Sequence, residues 1–484
     1  MAIDDIARSR IRLRCFLLGL FACQILLDQE IGSHSGSSVP EEVTAWFQSA
    51  AIPLESTSPQ SGLKDLMPLL SAVGDARIVA MGEATHGTRE FFQLKHRMLE
   101  FLVERMGFTV FGIEANWPES LAVNDYVLNG KGDPAQALAG LYFWTWNTEE
   151  VLDMIQWMRM YNQDPRHAQK VKFFGFDMQV SRVAVSNVEL YLQKADAEEA
   201  KVASTILAPL SDAAAEREYP AKSAGFRHKT SEGIQSLLAR FESRKKAYQD
   251  SSSIDEWESA RHNLEIVQQA EEMHSAVPTG SSSVRDRSMA ENVKWILDHE
   301  GPTSKIMLWA HNGHVSTLPV GAGETMGMSL RRMYGKKMVV GGFSFDHGSF
   351  QAIQQGKGLR EFTVGPATPG SLDAALAATG IPIVAIDLRR APSSGAVADW
   401  LNTPQLMRSI GAVYSENSPG AYFASANLHS FDLIFFVNHT TAAHEIPKHA
   451  EIDFRGRGTA ANVPVSDLSE SISVSEYPDN IGHI

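Results

Sequence analysis

Ile78 to Met98 read IVAMGEATHGTREFFQLKHRM, an apolar run that breaks at small residues and resumes in a helical pattern. A short apolar segment feeding a longer periodic one reads as strand, turn and helix, the opening of a βαβ unit. Glu83 and His86 then fall on the turn, an acid and a base placed where a strand stops.

The same texture recurs along the chain. Candidate strands are RIVAMG (Arg77 to Gly82), FTVFGIE (Phe108 to Glu114), VKFFGFD (Val171 to Asp177), KIMLWAH (Lys305 to His311), MVVGGFSF (Met338 to Phe345), PIVAID (Pro382 to Asp387) and LIFFVN (Leu433 to Asn438). Most are continuously apolar, as strands covered on both faces are. The expectation is an α/β fold with a mostly parallel central sheet flanked by helices. Polar residues stand where these runs end: Glu83 and His86, then Glu114, Asp177, and His311 with His314. Open α/β sheets bind ligands at the carboxyl ends of their strands, so these residues are expected to share one edge and form a site.

Between Val180 and about Val284 no strand-like run occurs, and stretches such as SEGIQSLLARFESRKKAYQ read as helices with solvated charged faces. The expected division is a discontinuous α/β core over 41–180 and 285–447, an inserted helical cap subdomain over 181–284 packed over the site, and a polar tail over 448–484. Residues 1–40 read as a leader-like segment and linker, because ARSRIRLR precedes the apolar CFLLGLFACQILL. That order suits a secretory leader, and an inconsequential extension fits equally, so the chain is cytoplasmic or, if residues 1 to about 32 act as a signal peptide, exported. The run is too short to span a membrane, which needs roughly 20 apolar residues.

With 44% hydrophobic residues the 484-residue chain can bury a large core. Its 57 acidic and 43 basic residues give a net charge of −14, the wrong sign for nucleic acid or an anionic membrane. Cys15 and Cys23 lie near the N-terminus, so the body has neither disulfides nor thiol chemistry.

No G-x-S-x-G, P-loop or H-E-x-x-H motif is present, which removes support for serine-hydrolase, P-loop and zincin chemistry. Water is then the expected nucleophile of a hydrolase, and histidine, with an ordinary pKa near 6.5, suits its activation. His86 is the candidate base, with Glu83 and Glu114 to orient and charge-balance histidines. The plainer readings are a helix first-turn acid for Glu83 and a strand-end cap for Glu114. In WAHNGHV, His311 and His314 share a face if the segment turns helical. They could stabilise an oxyanion, ligate a divalent metal beside the carboxylates, or be structural. Lys95 and Asp177 are candidate substrate contacts, Lys95 alternatively an ion-pair partner and Asp177 a group that orients a histidine. Asp346 and His347 follow GGFSF and could line the pocket, though a place in a loop is the plainer expectation. Phe91, Phe92, Trp117, Phe143, Trp144, Trp146 and Trp157 are core by default, with a few available to line an apolar pocket.

GEATHGTREFFQLKHRMLEFLVERMGF, GIEANWPES, GFDMQ, RDRSMAENVKWIL and LWAHNGHV, in that order, resemble the erythromycin esterase family over roughly Leu63 to Ala443. The resemblance implies a metal-independent hydrolase, with no cofactor, that opens a macrolide lactone by histidine-promoted attack of water. His86 matches the family's proposed general base, Glu83 the acid of the same motif, Glu114 the acid ending the next strand, and His311 and His314 the H-N-x-H pair. The macrolide-inactivating members have arginine where this chain has Lys95, which keeps the charge and loses the bidentate fork. The expected partner is a small-molecule ester such as a macrolide, with no nucleic acid and no stable membrane span. A metal-dependent hydrolase of another bulky ester and a non-catalytic binder of a small ligand or tetrapyrrole are the alternatives.

Overall fold

The computed structural model describes residues 39–277, 280–321 and 323–446. The leader-like segment, both cysteines and the polar tail fall outside these residues. Among the described residues, no helix is long and apolar enough to cross a membrane.

A nine-stranded sheet organises the chain. In chain order the strands are β1 (Ala51–Pro53), β2 (Ile78–Met81), β3 (Val110–Asn116), β4 (Lys172–Asp177), β5 (Ile306–Trp309), β6 (Met338–Gln354), β7 (Gly358–Val364), β8 (Ile383–Asp387), β9 (Gln405–Arg408), β10 (Phe423–Ala426) and β11 (Leu433–Thr440). Their spatial order is β1-β8-β11-β6-β2-β5-β3-β4, with β7 beside β6, while β9 and β10 form a separate ribbon. From β11 through β6, β2, β5 and β3 to β4 every pairing is parallel. Within the nine-stranded sheet antiparallel pairing is confined to β1–β8, β8–β11 and β6–β7, and the β9–β10 ribbon is antiparallel too. Each expected strand is present, and the architecture is α/β.

One expectation fails at β6. Asp346 and His347 lie inside this strand, which continues to Gln354 and folds back on β7 in a hairpin. Past Phe345 the burial alternates residue by residue, because this half is covered on one face only. The continuous apolar signal therefore stops midway, and Asp-His-Gly imitates a turn.

Successive residues of β2 feed opposite faces. Ile78 and Ala80 join a core shared with the helices between β4 and β5, while Val79 and Met81 join a core built with helix Arg89–Met106 and helix Glu149–Gln163. The first group of helices runs from Arg182–Ala195 to Ile254–Ser275 and is followed by Ser281–His299. His262 stacks on Trp295, and Trp117, at the start of the helix after β3, meets both rings edge to face. These helices thus extend one flank of the sheet. What they bring toward the carboxyl ends of β3 and β4 is Arg182 and Glu216, whose charges reach Glu119.

Spatial order along the sheet explains the assembly of the site. Because β2, β5, β3 and β4 are neighbours, their carboxyl ends line up Glu83 with His86, His311 with His314, Glu114 and Asp177. At the β3–β4 step the register shifts between Ile113 and Asn116. There a side chain on Gly175 would run into the backbone oxygens of Ala115 and Asn116. Gly175→Ala is expected to destabilise the protein by about 1–3 kcal/mol through overpacking, read by urea unfolding. Loss of activity beyond the unfolded fraction would report displacement of Glu114.

Candidate active site

Backbone bonds from distant parts of the chain hold the turn after β2. Gly82 donates to Gly341, Asn312 to the Glu83 carbonyl, Ile410 to Ala84, Gln351 and Ala443 to Gly87, and Arg89 to Thr441. The helix that follows starts at Arg89 and stops at Gly107, whose φ of 71° is left-handed. Thr88 precedes it, but its hydroxyl pairs with Thr85 at 2.5 Å and makes no capping bond.

The Glu83 side chain is fully buried, which is tolerable for a carboxylate only with donors around it. His86 Nδ1 lies 2.6 Å from Oε1, while Lys95 Nζ at 2.5 Å and Trp309 Nε1 at 2.7 Å share Oε2. A carboxylate accepts, so Nδ1 carries the proton and the lone pair of His86 is on Nε2. Burial pulls Lys95 down to about 8 against the opposing pull of Glu83, so it remains an ammonium at neutral pH. Trp309 and Phe343 lie 4.4 and 5.1 Å from that ammonium at their ring centres, which adds cation–π attraction.

Glu114 organises the second half. Its Oε2 accepts the His311 backbone amide at 2.9 Å, and its Oε1 accepts Arg285 Nη2 at 2.6 Å. Arg285 also binds Asp177 at 2.7 Å. Burial raises the Glu114 carboxyl, but His314, Arg285 and His86 outweigh it and hold the group well below the usual carboxylate range.

His311 caps the short helix Asn312–Val315, with Nδ1 accepting from the Gly313 amide at 3.2 Å. Burial, then His86 and His314, keep its pKa well below that of an ordinary histidine. The ring is therefore neutral with its proton on Nε2, and among the described residues that buried atom has no hydrogen-bond partner. His86 and His311 face each other across 5.1 Å between ring centres, and the edge of Trp146 closes one side of His86. A lone pair and an unpaired N–H thus meet in one small space.

Two demands meet at His314. Its Nδ1 donates to Asp286 at 2.9 Å, and its Nε2 lies 2.9 Å from Arg285 Nη1. Burial lowers its pKa, yet Asp286 and Glu114 raise it overall against Arg285. Nε2 also lies 3.3 Å from Glu114 Oε1, so a carboxylate stands against each ring nitrogen and favours the imidazolium over the opposing charge of Arg285. With Asp286 and Arg285 on its two nitrogens, His314 has none free to ligate a metal. Among the described residues no group of three or more His, Cys, Asp or Glu converges as a metal site would.

The structure thus brings Glu83, His86, Glu114, His311 and His314 together, and moves two expected substrate contacts back. Lys95, in the second turn of its helix, is fully buried against Glu83 and is a support of the dyad. Asp177 is equally buried and anchors Arg285, orienting no histidine directly. Asp346 and His347 pair with each other at 2.8 Å on β6. Arg285, Asp286 and Trp309 are the contributors that residue patterns missed. The Arg-Asp pair of RDRSMAENVKWIL was the available signal, but nothing in its spacing shows that both side chains reach one histidine.

Two predictions follow from this burial. Lys95→Met leaves the Glu83 charge uncompensated and should cost about 3–5 kcal/mol, the usual penalty for breaking a buried ion pair, measured by chemical denaturation. Because the folded-state pKa of Glu114 is depressed, its contribution to stability is present above the unfolded value of about 4.3 and lost as pH falls below it. Glu114→Gln should therefore lose stability less steeply than wild type on acidification through that range, read by unfolding at a series of pH values.

The erythromycin esterase profile matches residues 103–440; Glu83, His86 and Lys95 precede the matched span. Erythromycin esterase type II of Escherichia coli is 26% identical over 300 residues, covering 57% of this chain and 69% of that protein. A crystal structure of a Bacillus cereus protein superposes with a TM-score of 0.74 at 28% identity, covering 84% of this chain and 98% of the other. An erythromycin esterase mutant in its open conformation gives 0.61 at 18% identity over 81% of this chain and 97% of its own, a likeness of fold. With the profile matched over more than half its length, the chain belongs to the erythromycin esterase family.

Proposed function

We propose that the chain is a carboxylic ester hydrolase acting on a bulky or cyclic ester, with macrolide lactones of the erythromycin type as its substrate class. The observation that carries this reading is the pairing of His86, its Nε2 lone pair left free by the Nδ1–Glu83 bond, with the unpaired N–H of neutral His311. Family membership and the name of the Escherichia coli relative support the choice of lactone.

In the proposed reaction His86 Nε2 takes a proton from water as its oxygen attacks the ester carbonyl, and Glu83 stabilises the imidazolium that forms. His311 Nε2–H donates to the oxygen that gains charge in the tetrahedral intermediate. Collapse expels the alkoxide, and His86 returns the proton to it. The products are one acid and one alcohol, joined in a single molecule if the ester was a lactone. Glu114, Arg285, Asp286 and His314 keep His311 in place and balance charge behind it. No cofactor or metal is required by this scheme.

Erythromycin incubated with purified protein should gain the mass of one water, and His86→Ala should abolish that gain while leaving the thermal unfolding curve in place. Turnover by His86→Ala near the wild-type rate would overturn the assignment of the base. His311→Gln should lower kcat by on the order of 10²–10³-fold, the usual cost of a lost oxyanion donor, with KM changed far less, measured by steady-state kinetics on whichever ester is cleaved.

A further inference from the structure

Just past Glu114, where β3 runs into the helix Trp117–Asn129, buried polar groups lack partners. Asn116 is opposite Asp177 in the β3–β4 pairing and is fully buried. Its side-chain oxygen accepts from the Val180 amide at 3.3 Å, but among the described residues its amide nitrogen has no partner. Glu119, only 6% exposed, has no hydrogen-bond partner at either carboxyl oxygen among the described residues, apart from an interaction with its own backbone amide. Arg182, whose charge reaches Glu119, has an unpaired buried Nε and lies 4.6 Å from the Tyr142 ring centre. Tyr142 itself has a φ of 68°, a left-handed conformation that a non-glycine residue keeps only where its surroundings impose it.

Leaving a buried donor or acceptor unpaired costs about 1–3 kcal/mol, and native interiors pair nearly all of them. A cluster of such atoms beside a catalytic edge marks a place where a ligand supplies the missing bonds. The chemistry of the set narrows the ligand. An ammonium would satisfy Glu119 and strand the donors of Asn116 and Arg182; an anion would do the reverse. A hydroxyl donates one bond and accepts others, so neighbouring hydroxyls complete both kinds.

We propose that Asn116, Glu119 and Arg182 form a subsite for a hydroxyl-bearing ring of the substrate, a glycosyl or similar polyol group, and so act as specificity-determining residues. This rests on the hydrolytic reading of the adjacent cluster, to which Asp177 and Arg285 connect it. The carboxyl of Glu119 suits the task. Burial, with help from Glu216 and Asp177 and against the pull of Arg182, pushes it up to about 8, so near neutral pH it can donate from one oxygen and accept at the other.

Saturation-transfer NMR on the full chain, with a methyl glucoside as probe, tests the subsite without requiring turnover. Transfer to the sugar ring protons is expected with wild type and with His86→Ala, and binding should weaken about tenfold or more in Glu119→Leu, as loss of a hydrogen bond to a carboxyl would give. Circular dichroism checks the fold of the variant, and Asn116→Ala, which removes the amide donor instead, gives the same reading if Glu119→Leu fails to fold. Absence of transfer with wild type, equal transfer after loss of these side chains, or displacement of the sugar by an alkylammonium salt would overturn the proposal. Because His86→Ala is included, a protein that binds the sugar yet cleaves no macrolide refutes the substrate class and leaves the subsite standing.

Discussion

A carboxylate taken out of water must be surrounded by donors, and the burial of Glu83 imposes that demand on the whole site. Its two oxygens draw in an imidazole, an ammonium and an indole from three places in the chain: the turn itself, the following helix and β5. Satisfying Glu83 fixes the tautomer of His86, buries Lys95 against the carboxylate and turns the Trp309 indole toward the same oxygen. The chemistry proposed for His86 is therefore a by-product of solving a burial problem. Had Glu83 been solvated, water would have competed for each of these bonds and the imidazole would have been free to turn.

The second half repeats the solution with the charges rearranged. Arg285 spans Glu114 and Asp177, so one guanidinium joins the ends of β3 and β4, and the same group touches His314. Buried ion pairs add little net stability once desolvation is counted, which suggests that positioning is their contribution here. The consequence is a division of labour between two histidines with similar sequence surroundings. His311 is held neutral with a spare N–H, while His314 is enclosed by Asp286 and Arg285.

Much of this was legible in the sequence, for physical reasons that also mark the limit. Strands covered on both faces announce themselves as continuous apolar runs, so β2, β3, β4, β5, β8 and β11 could be read directly, and the polar residues at their ends followed. Half of β6 could not, because alternation begins where one face opens. The five residues brought together are those that sit on strand ends, where topology alone delivers them. Lys95 and Arg285 come from helices, and whether a long side chain on a helix reaches substrate or a neighbouring carboxylate depends on packing that spacing does not encode. Lys95 illustrates this: its charge suggested a ligand, and its burial assigns it to Glu83.

The bonds that fix the turn after β2 have a bearing on how the enzyme comes into being. Their partners include Gly341, Gln351, Ile410, Thr441 and Ala443, so a turn laid down early in synthesis is completed by segments made near its end. Contacts of such long sequence separation form late, since the intervening loop must close first. A chain emerging from the ribosome would carry His86 and Glu83 for most of its synthesis without the framework that makes them a dyad. The arrangement of Glu83 and His86 is then a property of the folded chain as a whole, and a chain interrupted before β11 would carry both residues without the bonds from Thr441 and Ala443 that fix their turn.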